Sequence, residues 1–142
     1  MANLNDCPCS GKTLARLIHP AVMAVLAKEP LHGYVIVQRL TGMTMFRDQA
    51  PDITGVYRLL KSMEKKGFVT STWESGDSGP AKRCFALTPN GGTCLARWIT
   101  TLRIYRDAVS NLLDTAASSG AAKTRRGALR RAATPKGKTD ER

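Results

Sequence analysis

The chain has no long apolar run, few acids and few aromatics. Nothing in its 142 residues approaches the roughly 18 to 20 consecutive apolar residues of a membrane-spanning helix. It does not open on the apolar h-region of a signal peptide either, so a cytoplasmic location and no membrane partner are expected. Acids are scarce: 11 Asp and Glu face 22 Lys and Arg, for a formal net charge of +11. From Gly120 onward eight basic residues face two acids, a surplus of +6, which leaves +5 on the first 119 residues. The basic character therefore does not rest on the C-terminal tail, and it points to a polyanionic partner.

Cysteine is also sparse, with four residues and no C-x2-C pair of the kind that holds structural zinc. In a reducing compartment these are read as thiols. Neither His19 nor His32 has a carboxylate near it in sequence, and local structure accounts for both better than catalysis. Ser10-Gly11-Lys12-Thr13 imitates the end of a phosphate-binding loop, but Asp6 stands where the first glycine would fall and no strand precedes it. With no nucleophile–base pair and no phosphate loop, an enzyme is not expected. A hydrophobic fraction of 42% suffices for one small core without disulfides or a cofactor.

The residues that remain organise into a mainly α chain. Residues 1–12 read as a flexible, cysteine-bearing arm. Leu14, Leu17, Ile18, Val22, Val25 and Leu26 recur at helical spacing around Pro20, which suits a first turn; a short turn before His19 and a helix from about Pro20 to Lys28 are expected. Pro30-Leu31-His32-Gly33 breaks the pattern. A second short helix then runs to about Gly42, and Met43, Met45 and Phe46 pin a connector to the core. Asp52 or Thr54 caps a third helix whose apolar face is Ile53, Val56, Leu60 and Met63.

Gly67 stops that helix, and two strands follow, near Phe68–Glu74 and Lys82–Leu87, around a Gly-rich tip at Ser75–Pro80. Thr88 then caps a new helix with Pro89 at its first position. A basic helix with a two-stranded flap beside it is the layout of a winged helix-turn-helix. The third helix carries Arg58, Lys61, Lys65 and Lys66 against Glu64 alone, and duplex DNA is the polyanion that fits best.

The last helix, expected over residues 89–117, spaces Leu95, Trp98, Leu102, Tyr105, Val109 and Leu112 at intervals of 3, 4, 3, 4 and 3. That is a heptad seam, and a second copy of the chain is its expected partner. Folding back onto its own domain is the alternative. Residues 118–142 lack a core-forming pattern and read as a disordered basic tail. The winged-helix domain is placed at 13–88.

These residues resemble the PadR family of transcriptional regulators. The resemblance rests on Leu31-His32-Gly33-Tyr34-Val35-Ile36, on Thr54-Gly55-Val56-Tyr57-Arg58-Leu59-Leu60-Lys61 and on Met63-Glu64-Lys65-Lys66-Gly67-Phe68-Val69. Gly79-Pro80-Ala81-Lys82-Arg83 and Leu87-Thr88-Pro89-Asn90-Gly91 complete it, over about Val22 to Trp98. Cys84, the N-terminal arm and the basic tail depart from the shared pattern. The resemblance implies a homodimeric, effector-responsive repressor with one helix after the wing, and the two third helices of such a dimer, in successive major grooves, would fit an inverted-repeat operator.

Thr54, Gly55, Tyr57, Arg58 and Lys61 are the expected DNA-reading residues, with Tyr57 either contributing its hydroxyl or closing the core. Tyr34 either reaches the DNA backbone, as the family's tyrosine does, or packs. Lys82 and Arg83 follow the wing tip and either lie along the duplex or are solvated. Leu95, Trp98, Leu102, Tyr105 and Val109 form the expected dimer interface, where the resemblance implies room for a flat aromatic effector stacked on Trp98. Cys7, Cys9 and Cys94 would meet a soft metal, or be oxidised together, if the arm packed against the last helix. A Cys-Pro dipeptide also occurs in haem-regulated proteins; unliganded thiols are the alternative. Cys84 is expected to be buried and inert. Two rival readings share the scaffold: a thiol, metal or haem sensor, and a protein-binding winged helix that reads no DNA sequence.

Overall fold

A computed structural model describes residues 16–75 and 79–119. Cys7, Cys9, the middle of the wing tip and the basic tail lie outside the described residues. The elements run α1 (Ile18–Leu26), β1 (Leu31–His32), α2 (Gly33–Thr41), a 3-10 turn (Thr44–Phe46), α3 (Ile53–Lys65), β2 (Val69–Glu74), β3 (Lys82–Leu87) and α4 (Pro89–Ala117). Pro20 is the third residue of α1, where its missing N–H has no intrahelical carbonyl to meet in any case.

Three helices and the sheet enclose one apolar core. Val22, Met23 and Leu26 from α1 meet Ile36 and Leu40 from α2, Val56, Leu60 and Met63 from α3, and Val69 and Phe85 from the sheet. Phe46 closes the cluster from the 3-10 turn and is 1% exposed, so the connector is pinned as its apolar residues suggest. The core ends a turn short of the start of α3: Ile53, expected on the apolar face, is 60% exposed.

The sheet departs from expectation. It has three antiparallel strands in the order β1-β3-β2. Leu31 and His32, read as a breaker, pair with Phe85 and Cys84 of β3. Two residues are too few to show an alternating pattern, and only the partner strand makes them a strand. The wing itself is the β2–β3 hairpin, in register from Val69 opposite Leu87 to Glu74 opposite Lys82.

Two local devices fix how α3 passes into the wing and how α4 leaves it. Gly67 ends α3 at φ +85°, a left-handed conformation that residues with a Cβ avoid. Its carbonyl accepts a 2.6 Å hydrogen bond from Thr88 Oγ1, while the Thr88 N–H donates to the Phe68 carbonyl at 3.0 Å. The same Thr88 hydroxyl oxygen accepts from the Gly91 N–H at 3.0 Å, which makes it the N-cap of α4. One threonine thus ties three elements.

The chain divides into two compact units, residues 1–99 and 100–142, and the division falls inside α4. In the first unit Cys94, Leu95 and Trp98 pack against the core cluster. In the second, Tyr105, Val109 and Leu112 are 51%, 62% and 67% exposed, and Ile104 and Leu113 are similarly open. The heptad seam therefore has two fates: its first part folds onto its own domain, and its second part carries uncovered apolar side chains.

Candidate nucleic-acid interface

The candidate interface begins with the helix that the core holds by one face. Val56, Leu60 and Met63 face inward, so Thr54, Tyr57, Arg58 and Lys61 are exposed on the other side. Asp52 caps α3, its Oδ2 accepting from the Gly55 N–H at 3.1 Å. The Gly55 amide at the helix start is thus taken by a carboxylate, and the exposed side chains of α3 carry its positive charge.

Glu64, the one acid on the helix, is not free to offset those cations. Arg83 of β3 donates from Nη2 to Glu64 Oε1 at 2.6 Å, and its Nε donates to Ser71 Oγ at 2.9 Å. Ser71 in turn donates to the second Glu64 oxygen. The Arg83 guanidinium also lies over the Phe85 and Trp73 rings, 5.3 and 5.7 Å from their centroids. Arg83, expected either along the duplex or in solvent, is about one-third exposed and forms a strut between wing and α3. Among the described residues, no carboxylate pairs with Arg58, Lys61, Lys65, Lys66 or Lys82.

Beside α3 the start of α2 meets the wing. Gly33 has no Cβ because the Tyr57 ring occupies that space. Tyr57 thus lies across the first residue of α2 and stays 41% exposed, so its ring is not core. Tyr34 is 49% exposed, stacked at 6.0 Å and 18° on the His32 ring, with Lys82 Nζ 5.3 Å from its centroid. Tyr34, Tyr57, Trp73 and Lys82 line a recess of about 350 Å³ between α2, α3 and the wing. Two phenol rings and an unpaired ammonium at its rim suit a phosphate of a passing backbone.

Three side chains take places that sequence spacing does not give them. His32 meets Glu74, 42 residues away, at 2.9 Å through Nε2. Cys84 is half-buried, faces both, and has its thiol pushed up, first by burial and then by the Glu74 charge. His19 packs between Phe68 and Trp98, with ring centroids 6.5 and 5.9 Å away. Its Nδ1 is buried without a partner among the described residues. Burial, and then the Lys66 charge, hold that imidazole below its ordinary range. Trp73, 68% exposed on β2, is a further residue of the recess with no sign in the sequence; an outward tryptophan in a short alternating strand gives no signal that separates function from solvent. Of Cys7, Cys9 and Cys94, which would meet only if the arm packed against the last helix, Cys94 alone is described, at the core edge on α4.

A helix held by one face, a cationic outer face, and a hairpin strutted beside it define a winged helix-turn-helix DNA-binding protein. The family comparison agrees. Residues 22–97 match the model of the transcriptional regulator PadR-like family, and the chain belongs to that family. It is accordingly a DNA-binding transcriptional regulator and not an enzyme.

Among solved structures it is similar to a transcriptional regulator of Thermoplasma acidophilum, with 28% identity and a TM-score of 0.62 over 72% of this chain and 96% of that one. It is also similar to a PadR-family regulator of Eggerthella lenta, with 26% identity and a TM-score of 0.63 over 80% and 99%. A PadR-like regulator of Bacillus cereus shares the fold at 20% identity, with a TM-score of 0.62 over 72% and 96%. No protein of curated function matches the chain.

Proposed function

We propose that the chain acts as a homodimeric repressor that reads an inverted-repeat operator and lets go when a small effector binds. The observation that carries the reading is the charge arrangement on α3. Arg58 and Lys61 are exposed and have no carboxylate partner among the described residues, while Glu64 is held by Arg83. In a dimer, two such helices enter successive major grooves about 34 Å apart. Tyr34 and Lys82 then meet the flanking phosphates.

The dimer is supported by α4, whose residues Tyr105, Val109 and Leu112 continue the heptad spacing with their side chains uncovered. The effector reading is supported more narrowly, by the aromatic Trp98, partly buried on α4 beside His19. Footprinting on DNA from the chain's own promoter region, in parallel with the Arg58→Ala, Lys61→Ala double variant, tests the proposal. Protection of a palindrome by the parent chain, and its loss in a variant that still folds, is expected. Equal, sequence-indifferent binding by both proteins overturns it in favour of a protein-binding winged helix.

A further inference from the structure

The sheet brings together three metal-ligating side chains from three strands. His32 is on β1, Glu74 ends β2, and Cys84 is on β3, directly opposite His32 in the register. One donor atom of each lies within 4.8 Å of the other two. We propose that His32 Nε2, a Glu74 carboxylate oxygen and Cys84 Sγ form a binding site for a borderline-soft divalent cation of the zinc class, which staples the wing to the sheet edge before α2.

The chemistry of the donors supports this. Imidazole, carboxylate and thiolate all suit Zn²⁺, and three protein ligands leave a fourth position for water. A carboxylate and a thiolate supply two negative charges for a dication, so the filled site is neutral. Zinc–ligand bonds of about 2.0 to 2.3 Å set tetrahedral donor–donor separations at about 3.3 to 3.8 Å. Closing the cluster to that size asks for side-chain rotation, and Glu74, 57% exposed, is free to make it. His32 keeps 28% exposure, so an ion has a path in from solvent.

Binding balances in protons. Cys84 Sγ–H loses its proton to solvent. The carboxylate only accepts, so His32 Nε2 carries the hydrogen shared with Glu74; in the neutral ring that hydrogen moves to Nδ1 as the metal takes Nε2. Without a cation, burial and the Glu74 charge keep the thiol protonated, and a dication at the same place reverses that balance.

The position of the site gives it a consequence. The His32 ring carries Tyr34 stacked on it, and Tyr34 carries Lys82, so one ion would fix the group that faces the phosphates. That coupling rests on the nucleic-acid reading above; the metal site itself does not.

The test uses the full chain with Cys7→Ser, Cys9→Ser and Cys94→Ala, which leaves Cys84 as its only thiol. Titrated anaerobically with Co²⁺, it should show a sulfur-to-cobalt charge-transfer band and tetrahedral d–d absorption that saturate at one equivalent and are displaced by Zn²⁺. Cys84→Ser should abolish the charge-transfer band. Glu74→Gln and His32→Asn should weaken binding by at least the roughly 10- to 100-fold that even an outer-shell partner is worth. Glu74→Gln lies at an exposed end of β2 and keeps the test informative if Cys84→Ser fails to fold. Absence of a thiolate band at equimolar cobalt, or unchanged affinity in both Glu74→Gln and His32→Asn, overturns the site. Neither result bears on DNA binding, which is read separately by footprinting.

Discussion

Arg83 of β3 holds Glu64 of α3 at 2.6 Å, with both side chains about one-third exposed, and so sets the wing against the cationic helix. A residue expected either along the duplex or in solvent thus ties the wing to α3. Its charge neutralises the only acid on α3, which leaves the outer face of that helix cationic.

Arg83→Ala should therefore act through geometry. Leaving the Glu64 carboxylate with Ser71 alone should destabilise the fold by about 1 to 3 kcal/mol, the range for removing a charge-assisted hydrogen bond in a half-buried setting. Urea unfolding measures it. Glu64→Leu combined with Arg83→Met should recover most of that stability, because no unpaired charge then remains.

DNA affinity in the same variants separates a strut from a phosphate ligand. Lys82→Ala should lower the salt dependence of binding by about 0.9 in the log–log slope for each phosphate that Lys82 neutralises. Arg83→Ala should weaken binding at an unchanged slope. Titrations at several salt concentrations distinguish the two. A reduced slope for Arg83→Ala would restore it to the duplex.

Gly33→Ala should displace the Tyr57 ring rather than unfold the chain, since only the outer edge of that ring occupies the Cβ position. DNA affinity should fall with little change in stability. In a Tyr57→Ala background the same change should be neutral or favourable, because alanine suits the first residue of a helix better than glycine does. A thermodynamic cycle on thermal melts tests this.

Val109→Glu with Leu112→Glu places charge on the uncovered part of the α4 seam. Sedimentation velocity should show a dimer for the parent chain and a monomer for the variant. The winged-helix unit should be intact in both by circular dichroism. A variant that remains dimeric would move the interface off this seam.

His19 predicts a pH response. Its imidazole is held below the ordinary value of 6.5, so the unfolded chain takes up a proton that the folded chain refuses. Stability should thus be full above that value and should decline as pH falls toward the folded-state value, before the carboxylates titrate. His19→Phe removes both the proton and the unpartnered Nδ1, and should flatten the profile between about pH 7 and 5. Denaturant midpoints across that range check it.

Much of the fold was legible because its signals are local. Gly67 ends α3 through its own φ, and Thr88-Pro89 opens α4 through its own hydroxyl and ring. Val56, Leu60 and Met63 declare a buried face by spacing alone. The exposure of Thr54, Arg58 and Lys61 follows from that same face. What spacing cannot show is where a face stops, and Ile53 and the divided fate of the α4 seam both turned on that.

The sequence by itself determined the four helices, the two wing strands, their order and the cationic helix face, because each depends on residues within a few positions of one another. Only the tertiary structure decided what crosses between elements: β1 as a strand, Arg83 against Glu64, and His32 beside Glu74 and Cys84. Those meetings follow from sheet register and from the packing of α3 against the wing, which join residues as distant in sequence as Leu31 and Phe85. No local pattern encodes them, because each partner is an ordinary polar residue until the strands align.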